Sequence, residues 1–344
     1  MSSRAIERAV NTPRIELVSA RVQPLAGILV VDLSRYLPGA YASRELLRLG
    51  AGVVRVEPPD GDPLRRTAPS WDRMLRTGTE SVVCDLKNDP GLARALCRRA
   101  DVVLEGFRPG VAARLGVGSE DVPKTTVYCS ITGFGEEPRH ATRAGHDLNY
   151  LGFAGALDDT APALPPVQVA DLAAGSLGAV TRILAALLER ERTGKGSRII
   201  VSMTHGAHDL VAHRTGEATL SHLLTGGLAC YRIYATADGR YLTVAALEPK
   251  FFARLCELLD RPELRERQYD EDQNALASEL GRAFASRGLA DWLALVEGED
   301  VCVGPVSTLA EAAREFGTGV ASVAPVPLGA HTDVWLRELG LDEP

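Results

Sequence analysis

The sequence predicts an α/β protein with a Rossmann-like large domain, built on a parallel sheet, and a smaller α+β domain. Short β-branched apolar runs alternate with helical segments through the first 203 residues. A proline-free helix pattern rich in Ala and Leu follows at 172–194, and a strand–turn–strand pattern follows at 229–247. A chain of 344 residues is long enough for both domains.

The elements of the large domain alternate in the order that a parallel sheet requires. Segment 27–34 predicts a buried strand, because it is a short apolar run between turn residues. Pro38 and Gly50 mark the two ends of the helix that follows, and segment 51–59 completes a βαβ unit. The later segments are a helix at 90–100 and strands at 101–107, 125–135 and 197–203.

The second domain begins at a hairpin with an Ala-Asp-Gly turn, and amphipathic helices follow it to about residue 297. The predicted boundaries are 1–24 for an N-terminal arm, 25–203 for the large domain, 204–228 for a helical linker, 229–310 for the small domain and 311–344 for a C-terminal segment that returns to the large domain.

Composition excludes several classes of function. The net charge of −7 disfavours nucleic acid and anionic membranes as partners. The six cysteines form no CxxC pair and lie at no metal-ligand spacing from a histidine, so we expect reduced thiols and no metal. No apolar run reaches about 18 residues, and the N-terminus lacks a signal-type apolar core. We therefore expect a cytoplasmic protein.

The first βαβ unit does not predict nicotinamide binding. Glu57 lies where a ribose-binding carboxylate could end the second strand, but the preceding turn reads LSRYLPGAYA and lacks GxGxxG.

Three segments carry residues suited to catalysis. GHDLNY (145–150) contains His146, and histidine is the usual acid–base residue near neutral pH; a surface histidine beside a capping aspartate is the alternative. Asp171 lies where an extended segment meets the long helix, as either a helix cap or a base or nucleophile. Glu248 in ALEPKFF is either a first-turn glutamate or a partner that orients a histidine.

Four basic residues follow strands or lie in loops of the first third of the chain. Individually they are ordinary surface charges, but together they could bind the phosphates of an ADP moiety. They are Arg55, Lys87, Arg108 and Arg114.

In their order and spacing, ten motifs resemble the class III CoA-transferase superfamily, closest to its 2-methylacyl-CoA racemase branch. The resemblance runs from about residue 25 to 310 and includes GxxVVDLS, LGAGVVRVE, CDLK, EGFRPGVAARLG, SITGFG, AGHDLNY, PPVQVADLAAGS, ERxxTGKG, ADGRYLTVAALEPKFF and CVGPV. It implies an interlinked homodimer with active sites at the interface. It also implies an acyl-coenzyme A thioester as substrate, with no further cofactor.

The resemblance also implies residue roles. His146 and Asp171 match the two bases of racemase-like members, and Glu248 matches a glutamate that supports the histidine from the small domain. Arg55, Lys87, Arg108 and Arg114 match positions that contact coenzyme A, and Gly145, Asp147 and Tyr150 line the same site.

Two chemistries and one inert role stay open. Transferases of the superfamily use the same aspartate as a nucleophile, typically lack the AGHD histidine and often carry a longer glycine run before the hairpin. His146 and the short Gly226–Gly227 pair favour racemase-like proton transfer. In that mechanism we expect the thioester enolate at the N-terminus of the helix after Asp171. A non-catalytic homologue that binds coenzyme A is the third possibility.

Overall fold

The computed structural model describes residues 23–215, 223–317 and 324–342, which divide into two compact units. Unit 1 takes the described chain up to Ile131, then Ala179–Ile200, and then the segment from Ala324. Unit 2 takes Thr132–Gly178 and the described chain from Val201 to residue 317.

Six strands form a sheet in the order β3-β2-β1-β4-β5-β6. Their bounds are β1 Leu29–Asp32, β2 Gly52–Glu57, β3 Glu80–Val83, β4 Val102–Glu105, β5 Val127–Thr132 and β6 Arg198–Ser202. The pairs β1–β2, β1–β4, β2–β3 and β4–β5 are parallel. This is the strand order of a Rossmann-like sheet, so the predicted α/β fold is confirmed.

The helices between these strands cross over as a parallel sheet requires. They are α1 Tyr36–Arg48, α2 Leu64–Thr67, α3 Pro69–Arg76, α4 Gly91–Arg99, α5 Val111–Leu115, α6 Asp147–Phe153 and a π-helix Ala170–Leu177 that runs into α7 Gly178–Thr193. Helix α8 Met203–Val211 follows β6.

The centre of the sheet is apolar because its strands are covered on both faces. Val30, Val31, Val102 and Val103 are all 0% exposed. Helix α1 packs so closely on β1 that a side-chain carbon at Gly39 would lie 1.8 Å from Ser34 Oγ.

A buried ionic network follows the carboxyl ends of β1 and β2. Arg65 makes two 2.7 Å contacts to the Glu57 carboxylate, and Arg76 Nη1 lies 3.2 Å from the same group. Burial opposes the charge of Glu57, but the Arg65 hydrogen bonds and the charge of Arg76 outweigh it and lower the pKa of Glu57 to about 2. Asp62 extends the network, 3.4 Å from Arg76 and 3.3 Å from Arg55.

The C-terminal segment of unit 1 lies along β3. His331 N–H donates to Ser81 O at 2.9 Å, and Ser81 N–H donates to His331 Nδ1 at 3.1 Å. Arg65 Nη1 also donates to Val326 O at 2.9 Å, so the segment joins the ionic network. The described residues from Ala324 onward therefore belong to the unit that contains the sheet.

Unit 2 contains a three-stranded antiparallel sheet in the order β7-β8-β9. Its further elements are β7 Tyr231–Ala235, β8 Tyr241–Ala245, α9 Pro249–Leu258, α10 Gln273–Phe284, α11 Leu289–Val296, β9 Val303–Pro305 and α12 Leu309–Phe316, whereas α13 Thr332–Glu338 belongs to unit 1. The predicted hairpin is confirmed, with Ile233 opposite Thr243. Leu242 of β8, Phe252 of α9 and Leu280 of α10 are fully buried in the core of this unit.

The observed unit boundaries differ from the predicted domain boundaries. Thr132–Gly178 belongs to unit 2, although the sequence pattern placed it in the large domain. The predicted arm at 1–24 lies almost wholly outside the described residues, as does part of the predicted linker.

One helix bears on the expectation that no segment spans a membrane, and that expectation stays a prediction. Helix Ala170–Thr193 is long and apolar enough by length and composition alone, with a mean hydropathy of 1.5 over 18 residues. Of that window, 44% is buried inside the protein, and core helices of soluble proteins pass the same test.

Glu57→Gln tests the ionic network. We expect the free energy of unfolding to fall by about 3 kcal/mol near neutral pH, because the substitution leaves Arg65 and Arg76 without their shared carboxylate. The pKa of Glu57 is lowered by folding, so its stabilisation is present above about pH 4.5 and is lost as the pH falls toward 2. Urea denaturation across this range measures the difference between native and variant proteins, which should shrink with acidity.

Glu120→Gln is the matched control, because Glu120 pairs with Lys124 at 3.1 Å on the surface, with both side chains more than four-fifths exposed. It should leave the stability unchanged within error. Equal stabilities for Glu57→Gln and the native protein would contradict a supporting role for the network.

Candidate active site

His146 is the N-cap residue of α6, in the segment that the sequence singled out. Its backbone N–H donates to Asn149 Oδ1 at 3.1 Å, so the side chain of the third helical residue closes the helix start. The His146 side chain is exposed. The cap thus fixes the backbone that carries the imidazole.

Asp171 lies in the first turn of the π-helix, and the next residue after His146 anchors it. Asp147 Oδ1 accepts the Asp171 N–H at 2.9 Å, and its carboxylate also accepts the Ala170 N–H. The Asp147 side chain is buried. One carboxylate therefore joins the start of α6 to the start of the π-helix and brings the two predicted bases to the same place in unit 2.

The surroundings of Asp171 change its protonation. Its side chain is mostly buried, and burial raises the pKa of Asp171 to about 7, with a further contribution from the negative charge of Asp147. Burial also raises the pKa of Asp147, against the effect of the two backbone hydrogen bonds that it accepts. Asp171 can therefore both hold and release a proton near neutral pH, as a general acid or base must.

Small residues let α8 pack tightly against the π-helix. A side-chain carbon at Gly206 would lie 2.8 Å from Ala174 Cβ, and one at Gly175 would lie 3.0 Å from Met203 Cγ. These contacts give a structural reason for the small residues in the ADLAAGS stretch. π-helical turns are rare and frequently occur at functional sites.

The glycines on either side of the site make room for Tyr150. Its hydroxyl donates to Gly145 O at 2.5 Å, and its ring packs edge-on against Phe134 at 5.1 Å. Side-chain carbons at Gly133 and Gly145 would approach the Tyr150 ring to 2.6 and 2.8 Å. The glycines of ITGFG and AGHD therefore let this buried ring brace the backbone before His146.

The expectation that backbone N–H groups at the start of the helix hold the enolate needs correction. The sequence suggested free amides at the helix start, yet Asp147 accepts the N–H groups of Ala170 and Asp171. The N–H of Leu172 donates to Gln168 O at 2.9 Å. These three amides already have acceptors, so they are not the donors that would hold an enolate.

Glu248 is the N-cap residue of α9, in unit 2, and its side chain is exposed. Its charge acts on the Cys302 thiol, whose pKa is raised first by burial and then by Glu248 and Asp300. The pairing of Glu248 with a histidine stays a prediction.

A pocket of about 240 Å³ opens in unit 1 at the carboxyl ends of β1, β2 and β3. Leu33, Val56 and Cys84 form its apolar wall, and Lys87 lines it as a basic residue. Arg35, which the sequence analysis missed, lines the same pocket. Its only signal was its place directly after the first strand, at the edge where α/β sheets bind ligands.

The other predicted phosphate ligands divide into two kinds. Arg108 and Arg114 are exposed in the GFRPGVAARLG segment after β4. Arg55 is 1% exposed and lies 3.2 Å from Asp32 and 3.3 Å from Asp62, so the prediction that it contacts coenzyme A needs correction. Its guanidinium is the counter-ion of two buried carboxylates.

Across the described ranges, no group of three His, Cys, Asp or Glu side chains is placed to hold a metal ion.

Comparisons with known proteins agree with this fold and these motifs. The sequence model of CoA-transferase family III matches residues 25–319. The chain is 33% identical to alpha-methylacyl-CoA racemase of Homo sapiens, covering 92% of this chain and 93% of that protein. It is 31% identical to succinyl-CoA:glutarate CoA-transferase of Mus musculus, covering 90% and 78%.

Solved structures give the same result. The fold is similar to that of a hypothetical protein, Rv3272, from Mycobacterium tuberculosis, with a TM-score of 0.77 at 28% identity over 92% of this chain and 99% of that one. A CAIB/BAIF family protein from Brucella suis has a TM-score of 0.76 at 28% identity, covering 93% and 100%. The chain belongs to CoA-transferase family III and is an enzyme of the racemase or CoA-transferase type.

Proposed function

We propose that this enzyme inverts the α-carbon of a 2-methyl-branched acyl-coenzyme A by 1,1-proton transfer. The observation that carries the proposal is the hydrogen bond from the Asp171 amide to the carboxylate of Asp147, the residue directly after His146. The raised pKa of Asp171, about 7, supports it, because a two-base racemase needs a group that is an acid in one direction and a base in the other. The racemase relatives support the choice of substrate.

The chemistry balances with these two side chains. One base takes the α-proton, and the electron pair of the C–H bond moves into the thioester as an enolate. The conjugate acid of the other base then delivers a proton to the opposite face of the carbon, and the carbonyl reforms. No redox partner is needed, and the coenzyme A portion belongs to the substrate.

The pocket of unit 1 suits the nucleotide end of that substrate. Arg35 and Lys87 place two cations at a sheet edge beside an apolar wall, and the carboxylates of Asp60 and Asp85 line the same pocket. The two cations suit phosphates, and the apolar wall suits an adenine ring. We propose that these residues bind coenzyme A, together with the exposed Arg108 and Arg114. Gly145 and Tyr150 would then shape the wall beside His146.

A second candidate is CoA transfer, which the CoA-transferase relatives favour. In that chemistry the Asp171 carboxylate attacks the thioester carbonyl and expels the coenzyme A thiolate, leaving a mixed anhydride. The thiolate then attacks the aspartyl carbonyl of the anhydride, which releases the donor carboxylate and leaves an aspartyl–coenzyme A thioester. An incoming carboxylate attacks this thioester and forms a second mixed anhydride with release of the thiolate. Attack of the thiolate on the new acyl carbonyl gives the product acyl-CoA and regenerates the Asp171 carboxylate. The buried setting of Asp171 suits a nucleophile as well as a base.

His146→Ala and Asp171→Asn test whether these two residues are the bases of a racemase. With a 2-methylacyl-CoA in deuterated water, each variant should slow α-proton exchange by about a hundredfold or more, because each loses one of two acid–base groups. Proton NMR of the α-position measures exchange, and calorimetry with free coenzyme A should show unchanged binding. Normal exchange in both variants would refute the assignment.

Hydroxylamine trapping reports the alternative in the same samples. Free acyl-CoA is removed by gel filtration before hydroxylamine is added, because hydroxylamine also cleaves thioesters. An acyl hydroxamate that then forms from native enzyme, fails to form with Asp171→Asn and is not accompanied by α-exchange would select the transferase. Coenzyme A binding without either reaction would select a non-catalytic role.

We also propose that the enzyme is a homodimer in which Glu248 of one subunit supports His146 of the other. Exposed apolar side chains of unit 2, such as Ile233 and Phe153, offer surface for such an assembly. The exposed position of Glu248 at the start of α9 leaves it accessible to a second subunit.

Subunit mixing tests this arrangement. His146→Ala and Glu248→Ala proteins should each be weakly active alone. After unfolding and refolding together, the mixed dimers should recover about half of the native activity per dimer, because one of their two sites has both native residues. A mixture no more active than its separate components would contradict a shared site.

A further inference from the structure

The loop between β5 and α6 presents two arginines on a cluster of aromatic rings in unit 2. We propose that this loop binds a second carboxylate on the acyl group, so that the enzyme acts on mono-coenzyme A thioesters of branched dicarboxylic acids. This inference rests on the proposed function and names the substrate class of the same site.

Arg143 is held by two rings. Its guanidinium carbon lies 4.9 Å from the ring centre of Phe134 and 4.7 Å from that of Phe153. The side chain is nevertheless exposed, and Phe153 is 48% exposed. These ring contacts are made by carbon atoms and occupy none of the arginine's N–H donors as hydrogen-bond acceptors, and a guanidinium with available N–H donors can bind a carboxylate bidentately.

Arg139 and His140 add further donors. Arg139 Nε donates to His140 Nε2 at 2.8 Å, so that ring nitrogen acts as an acceptor and the proton lies on Nδ1. The Nδ1 atom is buried and has no hydrogen-bond partner within the described part of the chain. An unsatisfied buried donor costs about 1–3 kcal/mol.

Neither loop arginine has a carboxylate partner among the described residues, unlike Arg254 and Arg267 of the same unit. Arg254 is bonded to Glu299 at 2.8 Å, and Arg267 to Glu279 at 2.6 Å. The loop itself contains Glu136 and Glu137, yet among the described residues no carboxylate lies within ion-pairing distance of Arg139 or Arg143. Their charges are therefore available to an anion from solution.

The loop is also close enough to the base for one small molecule to reach both. A side-chain carbon at Gly145 would lie 3.2 Å from the Phe134 ring, on which Arg143 is stacked. Three residues of chain span at most about 11 Å between Arg143 and His146. One medium-length acyl chain could therefore place its own α-carbon beside His146 and an anionic group beside Arg143.

A matched pair of substrates tests the subsite. 2-Methylhexanoyl-CoA and the mono-coenzyme A thioester of 2-methyladipic acid, linked at the carboxyl next to the methyl branch, differ only at the far carbon, which is a methyl in one and a carboxylate in the other. Native enzyme should exchange the α-proton of the carboxylated substrate with a kcat/KM about 10- to 100-fold higher, as a charge-assisted hydrogen bond supplies. Arg143→Gln and Arg139→Gln should each remove most of this preference while retaining exchange of 2-methylhexanoyl-CoA.

Arg282→Gln is the control for net charge, because Arg282 is an exposed arginine on α10 of the same unit. It should leave the substrate preference unchanged. A native preference for the uncharged chain, or equal rates, would overturn the subsite. The same holds if Arg143→Gln weakens free coenzyme A as much as it weakens the carboxylated thioester, since the loop would then bind a phosphate.

Calorimetry distinguishes this inference from the proposed function. If native enzyme exchanges neither substrate, the racemase chemistry fails. Tighter binding of the carboxylated thioester, lost in Arg143→Gln, would still support the subsite, and equal binding of the two thioesters would overturn it.

Discussion

The hydrogen bond from the Asp171 amide to the Asp147 carboxylate is the interaction on which the candidate site depends. Asp147 follows His146 directly. This bond of 2.9 Å therefore holds the backbone that carries His146 near the backbone that carries Asp171. The same carboxylate places a negative charge beside Asp171, which is mostly buried, and adds to the effect of burial on the raised pKa of Asp171. One buried residue thus both positions the site and tunes it.

The scaffold beneath this bond combines close packing with hydrogen bonds such as that of the Tyr150 hydroxyl to Gly145 O. Gly206 and Ala174 allow α8 to approach the π-helix, and Gly145 leaves room for the Tyr150 ring. Larger side chains at these positions would move the backbone that carries the bases, and displacements of about 1 Å are enough to slow catalysis strongly. The small residues around the site therefore have a mechanical reason independent of any substrate contact.

Local sequence predicted the strands well, since a buried parallel strand must be a short apolar run such as LVVD at β1. It could not predict the unit boundary, because Ala170–Thr193 is one continuous helix whose composition does not change where the units divide. The motifs predicted His146 and Asp171 as the two bases, and that assignment stays a prediction, whereas the contact of Asp147 joins segments 24 residues apart and could not be predicted from either motif. Arg55 was misassigned for the same reason, because its partner Asp62 becomes visible only when the chain is folded.

Carboxyl-carbon NMR titration of Asp171, in native enzyme and in Asp147→Asn, tests the central claim most directly. The asparagine keeps one oxygen that can accept from the Asp171 amide, while it removes the charge and replaces the other oxygen with an NH2 group. We predict a midpoint near 7 in the native protein, and a lower one in the variant that stays above the ordinary aspartate value because burial remains. A native midpoint near the ordinary value of about 4, or identical midpoints in both proteins, would contradict the account.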